Sequence, residues 1–130
     1  MAIATVARVA DASVIAALVF GEGRGDEAAA LLDGGQLYEP SLLGYELASV
    51  ARTKCVREPD RRESIIEAFE LAMRLEIEWI EVEHPAVLSL ALQTGLTTYD
   101  ASYLYIARTL GLPLVTFDAR LLAVMEGNTS

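Results

Sequence analysis

Segments of strand periodicity alternate with segments of helical periodicity along nearly the whole chain, and this alternation restricts the fold more than any other feature. "TVARVAD" (5–11) alternates apolar side chains and runs directly into "ASVIAALVF", a strand feeding a helix. "GEGRGDE" breaks that helix, "DEAAALL" begins a second one ending at Gly34-Gly35, and "QLYEP" (36–40) is a short strand. Ser41 is placed to cap a long helix to about Arg57. Pro59 and Asp60 punctuate the chain, and Asp60 with Glu63 has capping-box spacing for "RRESIIEAFELAMRL". The two helices form a hairpin over about 41–75.

"IEWIEVE" (77–83) alternates as a strand, "AVLSLALQTG" is a helix ended by Gly95, and "LTTYDASYLYIARTLG" is a Thr-capped helix ended by Gly111. "LPLVTFD" is a strand that delivers Asp118 to a last helix, "ARLLAVMEG", before the frayed end "GNTS". Strands alternating with helices imply an α/β fold: one domain over 1–130, with a mostly parallel sheet of four to five strands covered by helices on both faces and a protruding helix hairpin.

A chain of 130 residues that is 53% hydrophobic buries one core despite its net charge of -9. That charge, 19 Asp+Glu against 10 Lys+Arg, has the wrong sign for holding nucleic acid by phosphate neutralisation alone. A polyanionic substrate needs a cation in the site. The single Cys55 forms no internal disulfide, which fits a reducing cytoplasm. "MAIATVARVADASVIAALVF" superficially resembles a secretory leader, but Asp11 interrupts it and no small-residue cleavage site follows, so it reads as core. No apolar run approaches the roughly 20 residues that span a bilayer.

Four acids occupy strand-to-helix transitions or early helical turns. Asp11 and Asp118 sit where a strand ends and a helix begins, and in an open parallel sheet such carboxyl ends converge on the ligand crevice. Asp100 opens the helix after "TTY", and Glu46 falls on the apolar stripe of its helix with Leu43, Leu47 and Val50. The aspartates have a plain alternative as helix caps, Asp100 completing a capping box with Thr97. Glu46 is harder to explain that way, because a carboxylate on a buried stripe, past the first turn, gains little from the helix dipole and needs a partner. Four gathered carboxylates repel one another unless a cation neutralises them, and oxygen-only ligands favour Mg²⁺ or Mn²⁺.

The stretches "VADASVI", "YELASV", "TTYDASYLYIA" and "LVTFDARL", in this order and spacing, resemble the PIN domain, and more narrowly the VapC-type ribonuclease toxins of type II toxin–antitoxin pairs. The resemblance implies that Asp11, Glu46, Asp100 and Asp118 form the acidic quartet of a Mg²⁺- or Mn²⁺-dependent endoribonuclease. Asp11 and Asp100 would contact metal, and Glu46 and Asp118 would complete the shell or hold its waters. It implies supporting hydroxyls at Ser13 and Thr116, products with 5′-phosphate and 3′-hydroxyl ends, a cognate antitoxin of VapB type, and a homodimer. Members of the family usually continue to a fifth short strand, for which little chain remains after "LLAVMEG".

Other chemistry is poorly supplied. His84 is the only histidine and Cys55 has no evident base, so neither an imidazole pair nor a thiol nucleophile is at hand. "GEGRGDE" follows a helix, the wrong context for a phosphate loop. Arg52, Lys54, Arg57, Arg61 and Arg62 crowd the hairpin turn, as a solvated tip or as a landing strip for RNA phosphates. Tyr99, Tyr103 and Tyr105 stack on bases or pack in a core or dimer. The hairpin's apolar residues Ile65, Ile66, Phe69, Leu71 and Met73 belong to the core or to a groove that the resemblance assigns to the antitoxin. Two rivals remain: a PIN-like domain that binds RNA or a partner without cutting, and a phospho-receiver domain. The receiver expects a lysine on a late strand, whereas Lys54 lies in a helix.

Overall fold

A computed structural model describes residues 6–21 and 23–127, in the order β1 (Val6–Ala10), α1 (Ala12–Phe20), α2 (Gly25–Leu32), β2 (Gly35–Pro40), α3 (Leu42–Arg57), a 3-10 turn (Pro59–Arg61), α4 (Arg62–Ala72), β3 (Ile77–Ile80), α5 (His84–Thr94), α6 (Thr98–Leu110), β4 (Leu114–Val115) and α7 (Ala119–Met125). Thr5 of the expected first strand, the first residues of the leader-like stretch and the last three of "GNTS" lie outside the described residues.

All strand pairs are parallel, in the order β3-β2-β1-β4. The chain therefore steps outward from β1 to β3 and then crosses back to β4 on the other side of β1. Right-handed crossovers set the helices of those two directions on opposite faces. Their packing agrees: α1 touches α2, α3 and α4, while α5 pairs with α6, which lies on β1 and β2. The reversal between β1 and β4 makes their carboxyl ends the crevice of the sheet. Four strands are present among the described residues, and no fifth.

Burial follows from this layering. β1 is central, so Val9 and Ala10 on opposite faces are both fully buried. Helix α1 lies beneath three other helices, which explains why Val14, Ile15, Ala16 and Ala17 are buried in succession. Leu43 and Leu47 of α3, Ile106 of α6 and Leu121 of α7 complete the centre. Gly111 ends α6 at φ +67, a left-handed turn that side chains with a Cβ disfavour.

Several local expectations are corrected. Ser41 precedes α3 in helical conformation and makes no capping bond with its side chain. Asp60 does not cap α4: Pro59 opens a 3-10 turn that contains Asp60, and α4 starts from Arg61 without a side-chain cap. The turn is held instead by Arg61 on Glu58 at 3.1 Å and by the Ser64 hydroxyl donating to the Arg61 carbonyl. The strand expected over 77–83 pairs only to Ile80, because β2 ends at its partner Pro40. The strand expected in "LPLVTFD" pairs only at Leu114 and Val115, since the next amides turn to side chains: Phe117 N–H donates to Ser13 and Asp118 N–H to Thr116.

Truncating Leu47, which is fully enclosed, to alanine is expected to destabilise the fold by about 2–5 kcal/mol. The same change at Leu92, 78% exposed, is expected to stay within about 0.5 kcal/mol. Denaturant unfolding of the two variants measures the difference.

Candidate active site

Asp11 follows β1 directly and is 4% exposed. One carboxylate oxygen accepts from the Ser13 hydroxyl at 2.6 Å and from Val14 N–H at 3.4 Å; the other accepts from the Thr116 hydroxyl at 2.6 Å. The cap reading and the site reading thus hold together: Asp11 caps α1 and is tied to the loop after β4. Burial raises its pKa, these hydrogen bonds oppose the rise, and the charge of Asp118 adds to it.

Asp118 caps α7, accepting Arg120 N–H at 2.8 Å and Leu121 N–H at 3.1 Å. Asp100 lies in the first turn of α6, its N–H bonded to the Thr97 hydroxyl at 3.1 Å. Its pKa is raised by burial and by Asp118 and Asp11, against smaller lowering contributions from Thr97 and Arg120. Glu46 is half-buried on α3 and accepts the Tyr103 hydroxyl at 2.6 Å. Burial raises its pKa, the tyrosine bond opposes, and Asp100 and Asp11 add repulsion.

The fold therefore brings the acids into electrostatic range of one another through Asp11 and Asp100: Asp11 is felt by Glu46, Asp100 and Glu39, Asp100 by Glu46, and Asp118 by both Asp11 and Asp100. Among the described residues, however, no three His, Cys, Asp or Glu side chains stand close enough together to hold one ion. The carboxylates are neighbours around a crevice rather than a closed cage.

Sequence reasoning missed Glu39. It is fully buried on β2, accepting Ala10 N–H at 2.9 Å, and its other oxygen has no partner. Burial and the charge of Asp11 outweigh the Ala10 bond and push its pKa up to about 9, so it is a neutral acid near pH 7. Strand alternation carried the signal, because Glu39 shares its face with buried Leu37. Tyr103 is likewise 1% exposed and serves Glu46, which removes it from any stacking on bases.

Four of the five basic residues line two different clefts, and Arg61 lines neither. Lys54 and Arg57 line a cleft of about 810 Å³ with Ser13, Tyr45, Glu46, Ser49 and Tyr99. Arg52 and Arg62 line a groove between α3 and α4 with Cys55, Val56, Ile66 and Phe69. Residues 54 and 57 share one face of α3, and residue 52 lies on another. Of the hairpin's apolar residues, Ile65 is buried, Phe69 and Met73 pack partly against the core, and Ile66 and Leu71 are exposed.

The PIN domain profile matches residues 8–126, nearly all of the described chain. The chain belongs to the PIN domain family. It is of VapC type: it is 35% identical over 119 residues to Ribonuclease VapC3 of Pyrobaculum aerophilum, covering 87% of this chain and 90% of that one. Exonuclease VapC9 of the same organism is 56% identical over 41 residues, 32% of this chain and 31% of that protein. The crystal structure of PAE2754 from Pyrobaculum aerophilum superposes with TM-score 0.73 at 28% identity, over 91% of this chain and 78% of that one. VapC20 of Mycobacterium tuberculosis, a sarcin-ricin loop cleaving toxin, shares the fold with TM-score 0.66 at 17% identity, over 89% and 93%. A receiver's late-strand lysine has no counterpart here, since Lys54 lies on α3.

Glu39 sets a pH dependence. Its folded pKa of about 9 lies above the ordinary 4.5, so the native state keeps a proton that the unfolded chain has released. Its contribution to stability is complete below about pH 4.5 and is lost as pH rises to about 9, by at most about 1.4 kcal/mol per unit. Glu39→Gln, which keeps the shape without titrating, is expected to flatten stability against pH in that window, read from urea midpoints between pH 5 and 9.

Proposed function

We propose that this chain is a Mg²⁺- or Mn²⁺-dependent endoribonuclease and the toxin half of a VapBC-type pair. The observation that carries the reading is the meeting of Asp11, Glu46, Asp100 and Asp118 at the sheet's switch point, where burial and mutual repulsion raise the protonation of the three whose shifts are resolved. Likeness to a protein named as a ribonuclease over most of both chains supports it.

The donor chemistry, carboxylate oxygens, is that of a hard dication; no three of the acids close on one point among the described residues, so an ion bound there would keep much of its water. Asp11 and Asp100 would hold it, with Glu46 and Asp118 holding its waters. When bound, such an ion supplies a nucleophile at neutral pH and charge stabilisation at phosphorus. The chain's own residues prepare that place. Ser13 and Thr116 donate to Asp11 and so favour its ionised form, while Tyr103 fixes the direction of Glu46. Lys54 and Arg57, in the same cleft as Glu46, draw an RNA backbone across an otherwise repelling surface.

The groove between α3 and α4, about 560 Å³ with Ile66 and Phe69 in it and Arg52 and Arg62 beside them, is the proposed seat of an antitoxin helix. A homodimer belongs to the same reading, with exposed Val56, Leu71, Leu88 and Leu92 as apolar surface to cover. No helix among the described residues is long and apolar enough to cross a membrane, which accords with the proposed cytoplasmic site of action.

A second reading, RNA binding without cleavage, is favoured by one observation: both oxygens of Asp11 already have protein donors. Purified chain incubated with structured RNAs and Mg²⁺ or Mn²⁺ decides between them. Cleavage that EDTA stops, and that Asp11→Asn and Asp100→Asn each reduce by more than about 100-fold, is the expected result. Retention of RNA with no cleavage under any metal would establish the second reading.

A further inference from the structure

Two large aromatic side chains stand in water beside the acids. Tyr45 is 78% exposed and Tyr99 60% exposed, and each immediately precedes a site acid, Glu46 on α3 and Asp100 on α6. Successive helical residues point about 100° apart, so on each helix the acid turns toward the crevice and the tyrosine toward its lip. Both rings and Leu42 line the 810 Å³ cleft that holds Lys54 and Arg57. The same three residues also line a second cleft of about 670 Å³, with His84 and Ser102. They form the divide between the two.

We infer that Tyr45 and Tyr99 grip an unstacked nucleobase at this divide; the inference rests on the nuclease reading for the identity of the ligand. Exposed phenol rings offer flat apolar faces that any base can stack on, at little cost in conformational freedom. Charge complementarity favours a nucleotide over an apolar peptide, because Lys54 and Arg57 stand in the cleft where the neighbouring phosphates would lie. In a duplex the base faces are already stacked on one another and are not free to lie against two tyrosine rings.

The test measures binding, so it gives an answer whether or not the chain cleaves. A short oligoribonucleotide containing 2-aminopurine is titrated onto the Asp100→Asn chain with Mg²⁺ present. Fluorescence quenching is expected with the single strand. Adding Tyr45→Ala or Tyr99→Ala should relieve the quenching and weaken binding roughly 5- to 150-fold, the range of a lost base–aromatic stack. Tyr45→Phe and Tyr99→Phe, which keep the ring, should restore both. The same sequence as a duplex should compete at least about tenfold less well. Unchanged affinity in both alanine variants, equal competition by duplex, or no binding of the single strand would overturn the proposal. Circular dichroism of each variant confirms that it is folded.

Discussion

The structure depends on the seating of one buried carboxylate. Asp11 is the point where β1 ends, α1 begins and the loop after β4 returns, and its two oxygens are shared among Ser13, Val14 and Thr116. Thr116 in turn accepts Asp118 N–H, and Ser13 accepts Phe117 N–H, so the chain between β4 and α7 is shaped by the groups that hold Asp11. Burying a charge so deeply is unfavourable unless it is bonded on all sides. Here the bonds come from two hydroxyls and an amide, and the carboxyl keeps a raised pKa. A cluster built in this way favours any added positive charge.

Glu39 extends the same electrostatics into the sheet. Its carboxyl takes the place of a backbone acceptor for Ala10 N–H, one residue before Asp11. Its protonation is part of the balance, because a second anion at that depth would push Asp11 further toward neutrality. Tyr103 does the corresponding work for Glu46 from α6. The acids of the crevice are thus held by side chains from helices and strands that are distant in sequence. This is the arrangement expected where a carboxylate's direction matters as much as its charge.

Much of this was legible in the sequence because periodicity and acid position report on the same thing. The alternation of "TVARVAD", "QLYEP" and "LPLVTFD" with apolar helices was enough for a parallel sheet, and a parallel sheet has one edge where Asp11 and Asp118 meet. Glu46 stood out by occupying an apolar stripe. Glu39 did not, because a strand as short as "QLYEP" sets only one apolar residue, Leu37, on the face of Glu39, and its burial is imposed by neighbours on both faces. Hairpin geometry was also illegible in part: Pro59 starts a 3-10 turn whose extra residues shift the start of α4 and leave Asp60 without a capping role. The separation of Arg52 from Lys54 and Arg57 on α3 follows from helical phase.

What the account claims at its centre is that these carboxylates repel one another until a dication joins them. Titration calorimetry of Mn²⁺ into the purified chain, repeated in buffers of different ionisation enthalpy at pH 6 and pH 7.5, measures affinity and proton release together. The account predicts saturable binding that releases protons, strengthens at the higher pH, and is lost in Asp11→Asn. Binding that ignores pH and survives Asp11→Asn, or no saturable binding at either pH, would contradict it.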